Sequence, residues 1–307
     1  MIGAPMYIVS TPELVVAQCT AGIVGSIPAL NARDKDGEGV MLGVWLKQIT
    51  ERLDAWNQAN PDRPAAPFAV NQIVHKSNAR LERDIDICAR WKVPIWITSL
   101  GAREDVNQIA HESGATVIHD VVNNRFARKA IDKGADGLIA VAAGAGGHTG
   151  AQSPFALVQE IRQWFDGPLA LSGAIASGAS LLAARAMGAD FGYVGTPFIA
   201  TTEANAQAAY KDMLCNAQAQ DIVTTAGVTG VPGNYLAQSL TDRGIDPKAI
   251  AEMSLLGNDD ATGPKPWRDI WSAGQGVGVI SDVVAAKDLI ARIAREYDQA
   301  LQRIAHT

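Results

Sequence analysis

PLALSGAIASGASLLAARAMGADFGYVGTP, residues 168–197, is the stretch on which the reading of this chain turns. A short apolar run at 168–172 leads through Gly173 into a helix-like stretch at 177–187. Gly188 then supplies the expected stop after a last helical turn. A second apolar run at 191–195 ends in another glycine, Gly195, followed by Thr196 and Pro197. Short continuous runs of this kind read as strands buried on both faces, which belong to parallel sheets. Two glycine loops on successive strand ends also suit a bound phosphate. Glycine lets backbone N–H groups approach the oxygens, and a following helix adds a favourable dipole.

Working outward, the same unit recurs. Apolar runs lie at 2–6, 22–27, 67–74, 94–98, 115–119 and 136–142. Helical patterns lie at 11–21, 78–91, 104–113, 123–133 and 154–165. Counting the two strands already quoted gives eight strands, with helices between them. A closed (β/α)8 TIM barrel accommodates this pattern most simply. An open doubly wound sheet is the rival, but no G-x-G-x-x-G follows the first strand. The last helix, 283–304, is delayed: a helical stretch at 204–219 and an irregular, polar segment come first. The expected organisation is therefore a barrel of 1–202 plus 266–307, with 203–265 inserted as a lid on its active-site face.

Bulk properties exclude several partners. The 307 residues are 48% hydrophobic and 19% charged, ample material for a core, and the net charge is −6 without a basic block. Nucleic acid and anionic membrane are therefore poor partners. Cys19, Cys88 and Cys215 form no CxxC pair, so neither a disulfide framework nor a cysteine metal site is expected, and a reducing cytoplasm fits. MIGAPMYIV at the start lacks the features of a signal peptide, and no apolar run approaches the roughly 18 residues of a membrane span.

The sixth strand runs into AGAGGHTG, residues 143–150, and places His148 in a glycine-rich loop. Catalysis in a barrel sits at the C-terminal ends of strands. An imidazole there can take a proton or hydrogen-bond an anion. His75 and His119 also fall near strand ends; His111 lies mid-helix and His306 is terminal, so neither carries an expectation. Asn71 can turn a polar group toward a ligand ring, or be satisfied within the barrel.

The APM start (4–6), AGAGGHTG, LSGAIASG (171–178), YVGTPFIAT (193–201) and WSAGQGVG (271–278) occur in an order that resembles the nitronate monooxygenase family, once called 2-nitropropane dioxygenases. The resemblance implies an FMN-bearing barrel in which His148 matches the catalytic histidine. It implies that Pro5, Met6, Asn71, Gly147, Ser172, Gly173, Gly195, Thr196, Ala273, Gly274 and Gln275 line the flavin. Tyr235, on the insertion, is expected as a substrate contact, with His75 and His119 as further candidates. The implied reaction oxidises an alkyl nitronate with O2 to a carbonyl compound and nitrite. The family is also similar to flavin NAD(P)H:quinone reductases and enoyl-ACP reductases, so an NAD(P)H-dependent reductase is the alternative. A homo-oligomer is left open. Two departures stand out: Asp120 occupies a position where many relatives carry lysine, and GVPGNYL (230–236) is unlike the insert of well-studied nitronate oxidisers.

Overall fold

A computed structural model describes residues 1–34, 40–252 and 264–305; His306 and residues 253–263 of the expected insertion lie outside them. Eleven strands run in chain order among the described residues: β1 (Ile2–Gly3), β2 (Gly25–Pro28), β3 (Phe68–Ile73), β4 (Ile95–Ser99), β5 (Thr116–Val121), β6 (Gly137–Val141), β7 (Gly147–His148), β8 (Leu169–Ser172), β9 (Phe191–Val194), β10 (Ile222–Thr225) and β11 (Gly233–Leu236). Eight of these form one parallel sheet in the order β1-β9-β8-β6-β5-β4-β3-β2. A parallel bridge between Ile2 and Val24 joins its two ends. The result is the (β/α)8 barrel. Closure removes the open edges that a long parallel sheet would expose.

Alternation along the strands builds the core in two layers. Ile2, Ala69, Ile97, Ile118, Ile139 and Ala170 point inward and fill the barrel. Their neighbours Phe68, Val70, Trp96, Val117, Leu138, Leu169 and Leu171 point outward and meet the helices. Burial on both faces is why the strands read as unbroken apolar runs. The expected strand at 2–6 shortens to two residues, because beyond Gly3 the chain turns to wall a cavity.

The helix Met41–Ala59 is absent from the sequence reading. It buries Leu42, Leu46, Ile49 and Leu53, a helical stripe. Its first turn has no local side-chain cap; Asp34 accepts from the Met41 N–H at 2.7 Å instead, seven residues upstream. Helix Gly178–Met187 carries a capping box built by Ser177 and Ser180 and ends at Gly188 with φ +112°, as the quoted stretch predicts.

The chain leaves the barrel after β9 and returns beside the same place. Thr202 N donates to Val284 O at 3.0 Å, and Glu203 accepts from Ala286 N at the start of helix Ala286–Ala305. Between these points run the helix Ala208–Asn216 and the hairpin β10–β11. β11 also pairs with β7, giving a three-stranded antiparallel sheet that the sequence reading did not anticipate. A separate small core of Tyr235, Leu240, Ile250 and Ile270 lies under it.

Candidate active site

The barrel's inward register continues upward into one cavity of about 1140 Å3. Two residues beyond Ile2, Ala69, Ile97, Ile118, Ile139 and Ala170 stand Ala4, Asn71, Ser99, Asp120, Val141 and Ser172, and all six line it. The period of two thus converts an apolar layer into a largely polar floor at the C-terminal strand ends. Asn71 Nδ2 donates to Ser99 Oγ at 2.7 Å, and the Ser99 hydroxyl and Leu100 N–H donate to Asp120. Burial raises the Asp120 carboxyl to about 6, opposed by those hydrogen bonds. Tyr193 faces the same floor; burial and then the Asp120 charge push its phenol well above its ordinary value.

Glycine backbone walls the next sector. Gly173 (φ +141°) and Ala174 (φ +55°) turn the chain after β8. Ala174 N and Gln275 N both donate to Gly144 O. Thr196 Oγ1 accepts from Gly274 N at 2.8 Å. A Cβ on Gly146 would lie 2.8 Å from Gly274 N, and one on Gly274 would lie 2.7 Å from Gly144 O. The loops after β6 and β8 are therefore locked to residues 273–276 at backbone contact, and the loop after β9 through the Thr196 hydroxyl. On Gly195 a Cβ would meet nothing closer than 3.5 Å, so its face toward the cavity is open. These loops fit a phosphate held by backbone and hydroxyl groups. No lysine or arginine lines the cavity among the described residues.

His148 stands on β7 and is open to the cavity, yet its surroundings desolvate the ring enough to hold its pKa below 6.5. Thr229 Oγ1 lies 3.4 Å from its Nε2. Trp267 meets the imidazole edge-on at 5.4 Å and stacks on Tyr235 at 5.3 Å. Asn234, the register partner of Gly147, is fully buried and donates from Nδ2 to Ala145 O at 2.7 Å. The antiparallel strap β10–β11 thus fixes the glycine loop that carries His148.

Of the expected site residues, Pro5, Met6, Asn71, Gly147, His148, Ser172, Gly173, Gly195, Thr196 and Gly274 all border this cavity. Ala273 is buried behind Gly274, and Gln275 approaches Gly144 from outside the wall. His75, His119 and Tyr235 are off the wall. His75 is exposed and bonded to Ser77. His119 follows the inward Ile118, so its side chain turns outward, where its Nδ1 lies 2.6 Å from Thr98 Oγ1. Burial and then Lys129 lower its pKa to about 4. Tyr235 is fully buried beneath Trp267. Ser99, Asp120, Tyr193, Thr229 and Trp267 line the site and were missed. For Ser99, Asp120 and Tyr193 the strand register was the available signal; Trp267 and Thr229 arrive through the strap, which no local pattern reveals. Among the described residues no cluster of His, Cys, Asp or Glu could hold a metal ion, and no helix is long and apolar enough to cross a membrane.

A closed barrel with a cavity at its strand C-termini, walled by glycine backbone and bordered by one imidazole, is the arrangement of a barrel enzyme's active site. The sequence profile of nitronate monooxygenases matches residues 1–296, and the chain belongs to that family of flavin oxidoreductases. It is 25% identical to a nitronate monooxygenase of Paraburkholderia phytofirmans, over 99% of this chain and 93% of that one. Its fold is similar to a point mutant of FabK from Thermotoga maritima, with TM-score 0.79 and 25% identity, over 99% of this chain and 94% of that one. It is also similar to a nitroalkane oxidase from Streptomyces ansochromogenes, with TM-score 0.77 and 23% identity, over 99% and 96%.

Proposed function

We propose that this protein is an FMN-dependent enzyme that oxidises alkyl nitronates with O2 to a carbonyl compound and nitrite. The observation that carries the reading is the His148 imidazole beside a cradle of glycine backbone in a cavity large enough for cofactor and substrate together. The loops at Gly173, Gly195 and Thr196 would hold the phosphate. Asn71, Ser99 and Asp120 would meet the polar edge of the ring system, since they are hydrogen-bonded polar side chains on adjacent inward strand ends. Bound FMN would supply the redox chemistry between substrate and O2.

The chain's own part is binding and proton handling. His148, its pKa lowered by desolvation, removes the proton from the carbon bearing the nitro group when a nitroalkane binds. When a preformed nitronate binds, it hydrogen-bonds the oxygen instead. Trp267 and Thr229 fix the imidazole on either side of this role. We read 203–265 as the lid that brings Thr229 there, with Trp267 just past its end.

Anaerobic addition of a nitronate to the purified protein should bleach the flavin, and readmission of O2 should restore it with release of nitrite. Heat-released chromophore should have the mass of FMN rather than FAD. Rapid bleaching by NADH or NADPH, with none by nitronates, would replace this reading with a reductase of quinones or enoyl thioesters.

A further inference from the structure

The mouth of the cavity is apolar in a way the floor is not. Tyr7, Leu100, Val122 and Val231 are 36–50% exposed, and all four line this one cavity. They come from four separate places: the turn after β1, the loops after β4 and β5, and the approach to β11. Trp267 completes the rim. Scattered exposed apolar residues are ordinary, but convergence from distant loops onto one opening marks a binding surface.

The backbone is held there against its preference. Five non-glycine residues have positive φ among the described ones: Ile8, Lys92, Leu100, Ala174 and Trp267. Leu100 (φ +61°) and Trp267 (φ +66°) are two of the rim residues, and Ile8 lies between the lining residues Tyr7 and Val9. A large apolar residue in left-handed backbone is unfavourable, so its persistence at an opening points to use of the side chain rather than to a turn requirement. At Leu100 and Trp267 no glycine or asparagine has taken the easier option.

Charge completes the argument. Among the described residues lining the cavity, Asp120 and His148 are the acidic and basic groups, with no lysine or arginine. Arg33 lies behind Tyr7, its guanidinium 5.1 Å from that ring's centroid, and is off the wall. Among the described residues a ligand with several phosphates would find no lysine or arginine on the cavity wall, and only Arg33, engaged by the Tyr7 ring and hydroxyl, beside the mouth. A ligand with one charged head and a hydrocarbon tail would find the head's place inside and the tail's place outside.

We infer that the substrate is a single-headed anion carrying an apolar chain several carbons long, and that the chain lies on Leu100, Val122, Val231, Tyr7 and Trp267. This rests on the reading of the cavity as the nitronate site and names the subclass it takes: alkyl nitronates with extended chains rather than the shortest ones.

The test uses redox-inert stand-ins, so that it does not depend on turnover. Straight-chain carboxylates of three to nine carbons are titrated into the purified holoprotein by calorimetry. The dissociation constant should fall about threefold to fourfold per added methylene until the rim is covered, the effect of burying ~0.8 kcal/mol of hydrocarbon per methylene. Leu100→Asn keeps a residue that tolerates left-handed backbone while removing the apolar side chain. It and Val231→Ser should each flatten that slope. A dissociation constant independent of chain length, or a slope unchanged in both variants, overturns the proposal. Length-dependent binding without any oxidation of nitronates would instead overturn the functional reading and leave the apolar-tail site standing.

Discussion

At the scale of single residues the site separates two ionisable groups by their surroundings. His148 is pushed toward neutrality by desolvation alone. It is therefore available as a base below the pH at which an ordinary imidazole would be. His148→Asn should cut turnover of a neutral nitroalkane by about 10²- to 10⁴-fold, the usual share of a general base. Turnover of the corresponding nitronate, already deprotonated, should suffer far less, and flavin content should stay near wild type. Steady-state kinetics on both forms measures this; equal activity on both would remove His148 from proton transfer. Asp120 is the opposite case, a carboxyl raised to about 6 chiefly by burial. A carboxyl whose pKa rises on folding favours the folded state most when protonated. Its contribution is complete below 3.8 and is lost as pH climbs through about 6. Asp120→Asn removes that loss while keeping an acceptor for Ser99. The variant should unfold at higher temperature than wild type at pH 7–8, by about 1–3 kcal/mol in stability, with the advantage fading toward pH 4. An advantage that does not vary with pH would place its origin elsewhere.

At the scale of elements, the strap β10–β11 holds the glycine loop of His148 through one buried amide. Asn234 donates to Ala145 O and accepts from the Thr224 hydroxyl, tying the hairpin to the glycine loop. Asn234→Leu keeps the volume but leaves the Thr224 hydroxyl and the Ala145 carbonyl without these partners. It should cost about 1–3 kcal/mol in stability. It should lower kcat/KM on nitronates more than it lowers flavin content, because Thr196 and Gly274 remain locked. Parallel loss of flavin and activity would show that the strap supports the cradle as well. The cradle has its own test: Gly195→Val has room on its protein side, since a Cβ meets nothing within 3.5 Å, so the variant should fold and lose flavin. Full flavin content would put the phosphate elsewhere. These elements differ in how far the sequence reveals them. Parallel strands buried on both faces announce themselves as apolar runs, and Gly188 and Ser177 mark a helix at both ends. Inward strand residues follow by counting in twos from Ile97 or Ile118, which also explains why His119 faces away from the site. Helix Met41–Ala59 hides its start because Asp34 caps it from a distance. Trp267 and Thr229 reach His148 only through antiparallel pairing of β7 with β11, and no stretch of sequence encodes that pairing locally.

At the scale of the whole molecule, the two cores make different demands. The barrel core runs from Leu14 and Ile27 through Leu138 to Ile290 and is bounded by helix Ala286–Ala305, which packs so closely that a Cβ on Gly178 would sit 2.0 Å from Tyr297 N. The small core of Tyr235, Leu240, Ile250 and Ile270 belongs to a segment whose two ends meet at Thr202 and Val284. Apart from residues 273–276, which are locked to the barrel loops, a segment that departs and returns at one place can loosen without pulling the barrel strands apart. Leu14 and Leu240 are both fully buried, so truncating either creates a cavity costing about 2–5 kcal/mol. The consequences should nonetheless diverge. Leu14→Ala should lower the global unfolding temperature and release flavin with it. Leu240→Ala should leave flavin release near its wild-type temperature, raise amide hydrogen exchange across 222–250, and depress turnover. If Leu240→Ala lowers the flavin-release temperature as far as Leu14→Ala does, the small core is continuous in stability with the barrel. Turnover would then be limited by a step other than opening of this segment.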